Sequence, residues 1–154
     1  MPVAELPLVD FGPFNADEGV VVGDEPTPGQ LEVAASIDAA CRDHGFLLLK
    51  NFGLDAALQQ RAFASSAELF GQSPDRKAGL AQHVPSTNIG FAPFQTEVTG
   101  GGTRDADLKE AFNVRSRHVY DNNFVCCPAS FEPMTSDLWD AAHRAAIRYI
   151  LACE

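Results

Sequence analysis

Cys41-Arg-Asp-His-Gly-Phe-Leu-Leu-Leu-Lys-Asn-Phe-Gly-Leu54 carries the sequence from a helical pattern into an apolar run, and its reading decides the fold. Gly45 stands where a helix needs a left-handed C-terminal cap, a conformation that a residue without Cβ adopts at no steric cost. The helix is therefore expected to end at His44. Phe46 to Leu49 are four apolar residues without polar alternation, the pattern of a strand covered on both faces. This predicts the most deeply buried strand of the chain, closed by Asn51 and Gly53, with Phe46 as a core residue.

Upstream, Leu6-Pro-Leu-Val-Asp-Phe11 alternates weakly between prolines and reads as a short edge strand. An acidic loop is expected over 15–26. Thr27-Pro28-Gly29-Gln30 combines a threonine N-cap, proline at the first helical position and glutamine where a capping box places it. A helix should start there, with Val33, Ile37, Ala40, Cys41 and His44 as its apolar stripe.

Downstream, Asp55 can cap a second helix on which Phe63, Ala67 and Phe70 share a face, with Gly71 as the stop. Ser73-Pro74 starts a short third helix whose Asp75-Arg76-Lys77 reads as a solvated face. The span 83–103 reads as a flexible loop. Its Gly100-Gly101-Gly102 is a hinge rather than a phosphate cradle, because no Gly-Lys-Ser/Thr follows. Leu108, Phe112 and Val114 alternate with polar neighbours as in a half-buried strand, and Glu110 falls on the apolar side, where a carboxylate needs an ion-pair or hydrogen-bond partner. Pro133 leads into a long helix with Trp139, Ala142, Ala146, Tyr149, Ile150 and Cys153 as its stripe. That pattern is still running at Glu154, which predicts a chain that stops short of further structure.

With 154 residues, 45% of them hydrophobic, the chain is long enough for one domain with a core, expected over 1–154. The net charge of −10 offers no electrostatic footprint for nucleic acid or anionic lipid. With no apolar run near the ~20 residues of a membrane span and no leader pattern, the sequence reads as a soluble, cytoplasmic protein. Cys41, Cys126, Cys127 and Cys153 lack zinc-knuckle spacing and are expected to be reduced and mostly buried.

Several of these stretches, in order, resemble the N-terminal region of the non-haem Fe(II), 2-oxoglutarate-dependent dioxygenases of the isopenicillin N synthase-like type. Leu6-Pro-Leu-Val-Asp-Phe11 is similar to that family's opening Ile-Pro-Val-Ile-Asp-Leu. Ala40-Cys41, His44-Gly45-Phe46 and Asn51-Phe52-Gly53-Leu54 resemble its Ala-Cys, Gly-Phe-Phe and Asn-His-Gly-Ile elements, with Phe52 where histidine is usual. Leu69-Phe70 with Pro74 and Lys77, Gly90-Phe91, and Asp107-Leu108-Lys109-Glu110-Ala111-Phe112 continue the match. Asn123-Phe124 and the Cys126-Cys127 pair replace the family's Trp-Pro.

The resemblance implies a mixed α/β fold: helices packed on a small sheet, with the first strands of an incomplete jelly-roll, or double-stranded β-helix. In the complete family enzyme it implies Fe(II), 2-oxoglutarate and a small-molecule substrate, with the metal held in a C-terminal barrel by His-x-Asp and a distant His, and the oxoacid by Arg-x-Ser. None of those motifs occurs here. His44, His83, His118 and His143 each lack a carboxylate two residues on, so no catalytic, cofactor-binding or metal residue is assigned to this chain and no cofactor is expected on it alone. The expected role is a non-catalytic N-terminal portion whose partner is the missing barrel. The alternative is a stand-alone protein-binding or scaffold module. The region 83–103, with Gly90-Phe91, is expected to help set substrate choice, although packing of Phe91 is the simpler reading.

Overall fold

The computed structural model describes residues 5–15, 25–97 and 106–153. The acidic segment 16–24 and the triple glycine lie outside them. In chain order the elements are β1 (Leu8–Asp10), a 3-10 turn (Gly12–Phe14), α1 (Pro28–Asp43), β2 (Leu48–Lys50), α2 (Ala56–Phe70), α3 (Pro74–Ala78), β3 (Gly90–Ala92), β4 (Ala111–Asn113) and α4 (Phe131–Ala152). The fold is mixed α/β, with four helices and two separate two-stranded sheets where one small sheet was expected. No barrel closes among the described residues. The chain divides into two compact units, one of residues 1–55 with 140–154 and one of 56–139.

Helix starts follow local chemistry. The Thr27 hydroxyl accepts from the Gln30 N–H at 3.3 Å and the Gln30 side chain accepts from the Thr27 N–H at 2.8 Å, completing the capping box. The Ser73 hydroxyl accepts from the Arg76 N–H, with Pro74 in the first turn of α3. At the other end of α1, Gly45 has φ of +73° and its N–H donates to the carbonyls of Ala40 and Cys41. A Cβ there would meet nothing within 4 Å, so only the backbone conformation resists substitution. Gly45→Ala is accordingly expected to cost about 1 kcal/mol. A urea melt with an unchanged midpoint would show that this cap is not needed.

In the first unit β1 and β2 pair in parallel, with Leu8 opposite Leu48, Val9 opposite Leu49 and Asp10 opposite Lys50. Val9, Phe11, Phe14, Val33, Ile37 and Ala152 form its core, against which Leu47, Leu49, Phe52 and Tyr149 pack. The expected burial of the second strand on both faces fails here. Phe46 is 73% exposed, and Leu8 and Leu48 are 60% and 52% exposed. An uninterrupted apolar run says that a strand can be covered twice, but the cover itself must come from elsewhere, and this unit supplies it on the Val9–Leu49 side only. Phe46 is not a core residue, and Cys41 and His44 lie outside the buried stripe of α1.

In the second unit β3 and β4 pair antiparallel, with Phe91 opposite Phe112. The core holds Leu69, Leu80, Phe91, Phe131 and Met134, with Phe112 edge-on to Phe131 at 5.1 Å. A buried strand thus lies inside the expected loop 83–103. Gly90, at φ +107°, permits it: a Cβ would stand 2.5 Å from the Gln82 carbonyl and 2.8 Å from that of Ala81. On α2 the buried face is Leu58, Ser65 and Leu69, while Phe63 and Ala67 are exposed, so the expected face is one step out of phase. The same holds for α4, which begins at Phe131 rather than Pro133. Met134, Ala141 and Ala152 are buried, whereas Ala142, Ala146, Ile150 and Cys153 are exposed. No helix among the described residues is long and apolar enough to cross a membrane.

Candidate functional site

A cleft of ≈ 510 Å³ opens in the first unit where β1 and its following turn face α1, lined among others by Asp10, Gly12, Glu32, Ser36 and Asn51. Asp10 ends β1 and so projects to the same side as Leu8. One of its oxygens accepts from the Gly12 N–H at 3.0 Å and from the Asn51 amide at 2.9 Å, and the other pairs with the Lys50 ammonium at 3.2 Å. The Asn51 hydrogen bond first, then Gly12 and Lys50, hold the Asp10 carboxyl below the usual carboxylate range. Asn51 itself has φ of +56°. The carboxylate thus stays ionised with both oxygens engaged, clasping the end of β1 to the turn after β2. It is a positional device and not a free acid or base. The strand reading placed Asp10 and Asn51 without pairing them; the signal was an aspartate ending one parallel strand and an asparagine-glycine turn ending its neighbour.

A second cleft, of ≈ 330 Å³, lies in the other unit between α2 and the start of α4. The Ser130 hydroxyl donates to Glu68 at 2.8 Å and lies 3.2 Å from the buried Ser65 hydroxyl, while Arg61 pairs with Asp137 at 3.1 Å. A serine nucleophile needs a base that can take its proton near neutrality, and none of the residues lining this cleft is a histidine. The sequence reading did not single out this chain of hydroxyls, which α2 and α4 bring together from sites more than sixty residues apart.

The partner anticipated for Glu110 is Lys77. Its ammonium lies 3.0 Å from each Glu110 oxygen and donates to the Phe70 carbonyl at 3.1 Å. Lys77 therefore leaves the expected solvated face, on which Asp75 and Arg76 remain exposed. Of the histidines, His44 caps α1 in solvent, His83 shares a 2.9 Å hydrogen bond with Asn88, and His118 and His143 are exposed, in a turn and on α4. Among the described residues no group of three or more His, Cys, Asp or Glu side chains is placed to hold a metal ion. All four cysteines are free thiols, and Cys41, Cys126 and Cys153 are exposed rather than buried. Burial pushes the half-buried Cys127 thiol up to about 11, which keeps it protonated and unreactive near neutrality.

Residues 6–130 match the family described as the non-haem dioxygenase in morphine synthesis N-terminal region. Among curated proteins the chain is 31% identical over 120 residues to flavanone 3-dioxygenase 2 of Oryza sativa subsp. japonica, covering 78% of this chain and 30% of that one. It is 29% identical over 109 residues to a 2-oxoglutarate-dependent dioxygenase of Monascus ruber, covering 70% and 29%. The chain thus spans less than a third of the length of these relatives. The backbone also resembles a full-length Neurospora crassa protein crystallised in complex with alpha-KG, with a TM-score of 0.71 at 24% identity, covering 96% of this chain and 46% of that one. With most of its length inside the match, from the β1 strand to the start of α4, the chain belongs to the family of non-haem dioxygenase N-terminal regions.

Proposed function

We propose that this chain serves as the N-terminal, non-catalytic portion, over 1–154, of an Fe(II)- and 2-oxoglutarate-dependent oxygenase that oxidises a small organic molecule. The observation that carries this reading is the match of residues 6–130 to the N-terminal family, in a chain that spans under a third of its curated relatives. The described residues do not fit an iron centre, so the metal and the oxoacid would be held by a jelly-roll barrel formed by other residues. The relatives' names point to unlike substrates: a flavanone, a gibberellin and, in a complex of the Neurospora crassa protein, thymine. A small organic substrate is the class they share.

Physical support comes from the first sheet. Parallel strands are ordinarily covered on both faces, yet Leu8 and Leu48 present an apolar outer side, continued by the exposed Leu6 and Phe46. In this reading β1 and β2 are early strands of the jelly-roll, and the barrel supplies their missing cover.

The test compares the chain alone with a longer chain whose reading frame continues into His-x-Asp, a later His and Arg-x-Ser. Alone, it should hold no stoichiometric Fe(II) and convert no 2-oxoglutarate to succinate. The longer chain should do both, lose both when either metal-binding histidine is changed to alanine, and show slowed amide exchange over Phe46 to Lys50. Stoichiometric iron with oxoacid decarboxylation in the chain alone would overturn the proposal.

A further inference from the structure

The core of the first unit joins Val33 and Ile37 of α1 to Ala152 of α4, with Tyr149 packed against it and its ring 6.3 Å from that of Phe11. On α1, Cys41 stands one helical turn beyond Ile37, and Cys153 stands the same four residues beyond Tyr149. Both follow directly on a buried alanine, Ala40 and Ala152, and both are themselves exposed. They mark the solvent rim of one core from two different helices. The Tyr149 hydroxyl reaches this rim and hydrogen-bonds to both thiols. Cys153 lies just past the last residue of α4, its N–H bonded to the Ile150 carbonyl, so its side chain is not confined by a further helical turn.

We propose that Cys41 and Cys153 form a peroxide-sensitive thiol pair, closing to an intramolecular disulfide that staples α1 to the end of α4. In the first step a thiolate of the pair attacks one oxygen of a hydroperoxide and breaks the O–O bond. The sulfur becomes a sulfenic acid, and the other oxygen leaves as hydroxide or alkoxide and takes up a proton. In the second step the other thiol attacks that sulfur, forming the S–S bond and releasing the hydroxyl as water. With hydrogen peroxide the sum is two thiols and one peroxide giving one disulfide and two waters, so two electrons pass from sulfur to oxygen. Tyr149 acts as a positioning residue. Burial first, then its hydrogen bonds to the two thiols and their charge, push its phenol up to about 12, so it keeps its proton and can donate to one sulfur while accepting from the other. Cys127, half-buried, and Cys126, on the other unit, are the internal controls.

The experiment treats the full chain with limiting hydrogen peroxide, blocks remaining thiols with an alkylating reagent, and maps peptides without reduction. The expected product is a Cys41–Cys153 linked peptide, lighter by two hydrogens than the sum of its halves and released by dithiothreitol. The link should vanish in Cys41→Ser and in Cys153→Ser and persist in the Cys126→Ser, Cys127→Ser double variant. Tyr149→Phe keeps the ring in the core but removes the hydroxyl. It should slow linkage several-fold and flatten its dependence on pH while leaving the melting temperature close to the parent's. Alkylation protection in the parent chain needs no variant, so a misfolded mutant does not remove the test. If peroxide gives separate sulfinic acids at the two positions, links between chains only, or a link through Cys126 or Cys127, the pair is not a redox couple and the proposal falls.

Discussion

Phe11→Ala is expected to destabilise the chain by about 3–5 kcal/mol, while Phe46→Ala should cost less than about 1 kcal/mol. The two phenylalanines flank the same parallel strand pair, but Phe11 is 0% exposed and Phe46 is 73% exposed. Phe11 stacks on Phe14 at 5.1 Å and tilts against Tyr149, and its N–H donates to the Lys50 carbonyl at 2.9 Å, extending the β1–β2 ladder by one bond. Truncating it removes a ring from the centre of the first unit's core and leaves a cavity among residues from β1, the 3-10 turn, α1 and α4. Since a domain of this size holds only ~5–15 kcal/mol in all, the variant loses a large share of its stability. Urea melts of both variants check the contrast. A Phe46→Ala loss as large as that of Phe11→Ala would mean that β2 is covered on its outer side in solution.

The difference between these two residues shows where sequence reading succeeds and where it stops. Thr27-Pro28-Gly29-Gln30, Gly45 and Ser73-Pro74 were legible because a cap is a contract between residues three or four apart, fully written in the local sequence. The exposure of Phe46 and Leu48 was not legible, because whether an apolar strand is covered depends on segments far away, and four apolar residues in a row look the same with one face open or two closed. The helix phases of α2 and α4 slipped for a related reason. Alanine-rich turns around Ala67 and Ala142–Ala146 offer apolar residues on neighbouring faces, so the stripe can be drawn about 100° away from the one that packs. β3 stayed hidden in its loop because it is three residues long, begins on a glycine, precedes Pro93, and owes its existence to pairing with Ala111–Asn113.

The clasp at Asp10 was half legible: the strand end and the turn were both read, but not their meeting across 41 residues. The thiols fared differently. A free cysteine is usually a small core residue, and only the packing shows that Cys41 and Cys153 sit at a solvent rim beside one hydroxyl.

Glu110 is the residue whose need was readable and whose partner was not, and the pair it forms with Lys77 is expected to show strong coupling. The two side chains are only 22% and 19% exposed. Lys77→Met should cost about 2–3 kcal/mol, because it leaves a largely desolvated carboxylate without its counter-charge. It also takes the donor from the Phe70 carbonyl at the end of α2. Glu110→Ala should cost somewhat less, since Lys77 keeps that carbonyl as an acceptor. The double variant should be less destabilised than the two single losses added together, by about 1–2 kcal/mol, because the second substitution removes the charge that the first had stranded. Chemical melts of the four proteins close the cycle. A coupling near zero would place the pair in effectively bulk solvent, where an ion pair contributes little. The strand reading of Glu110 as a carboxylate that must be paired would then lose its physical basis.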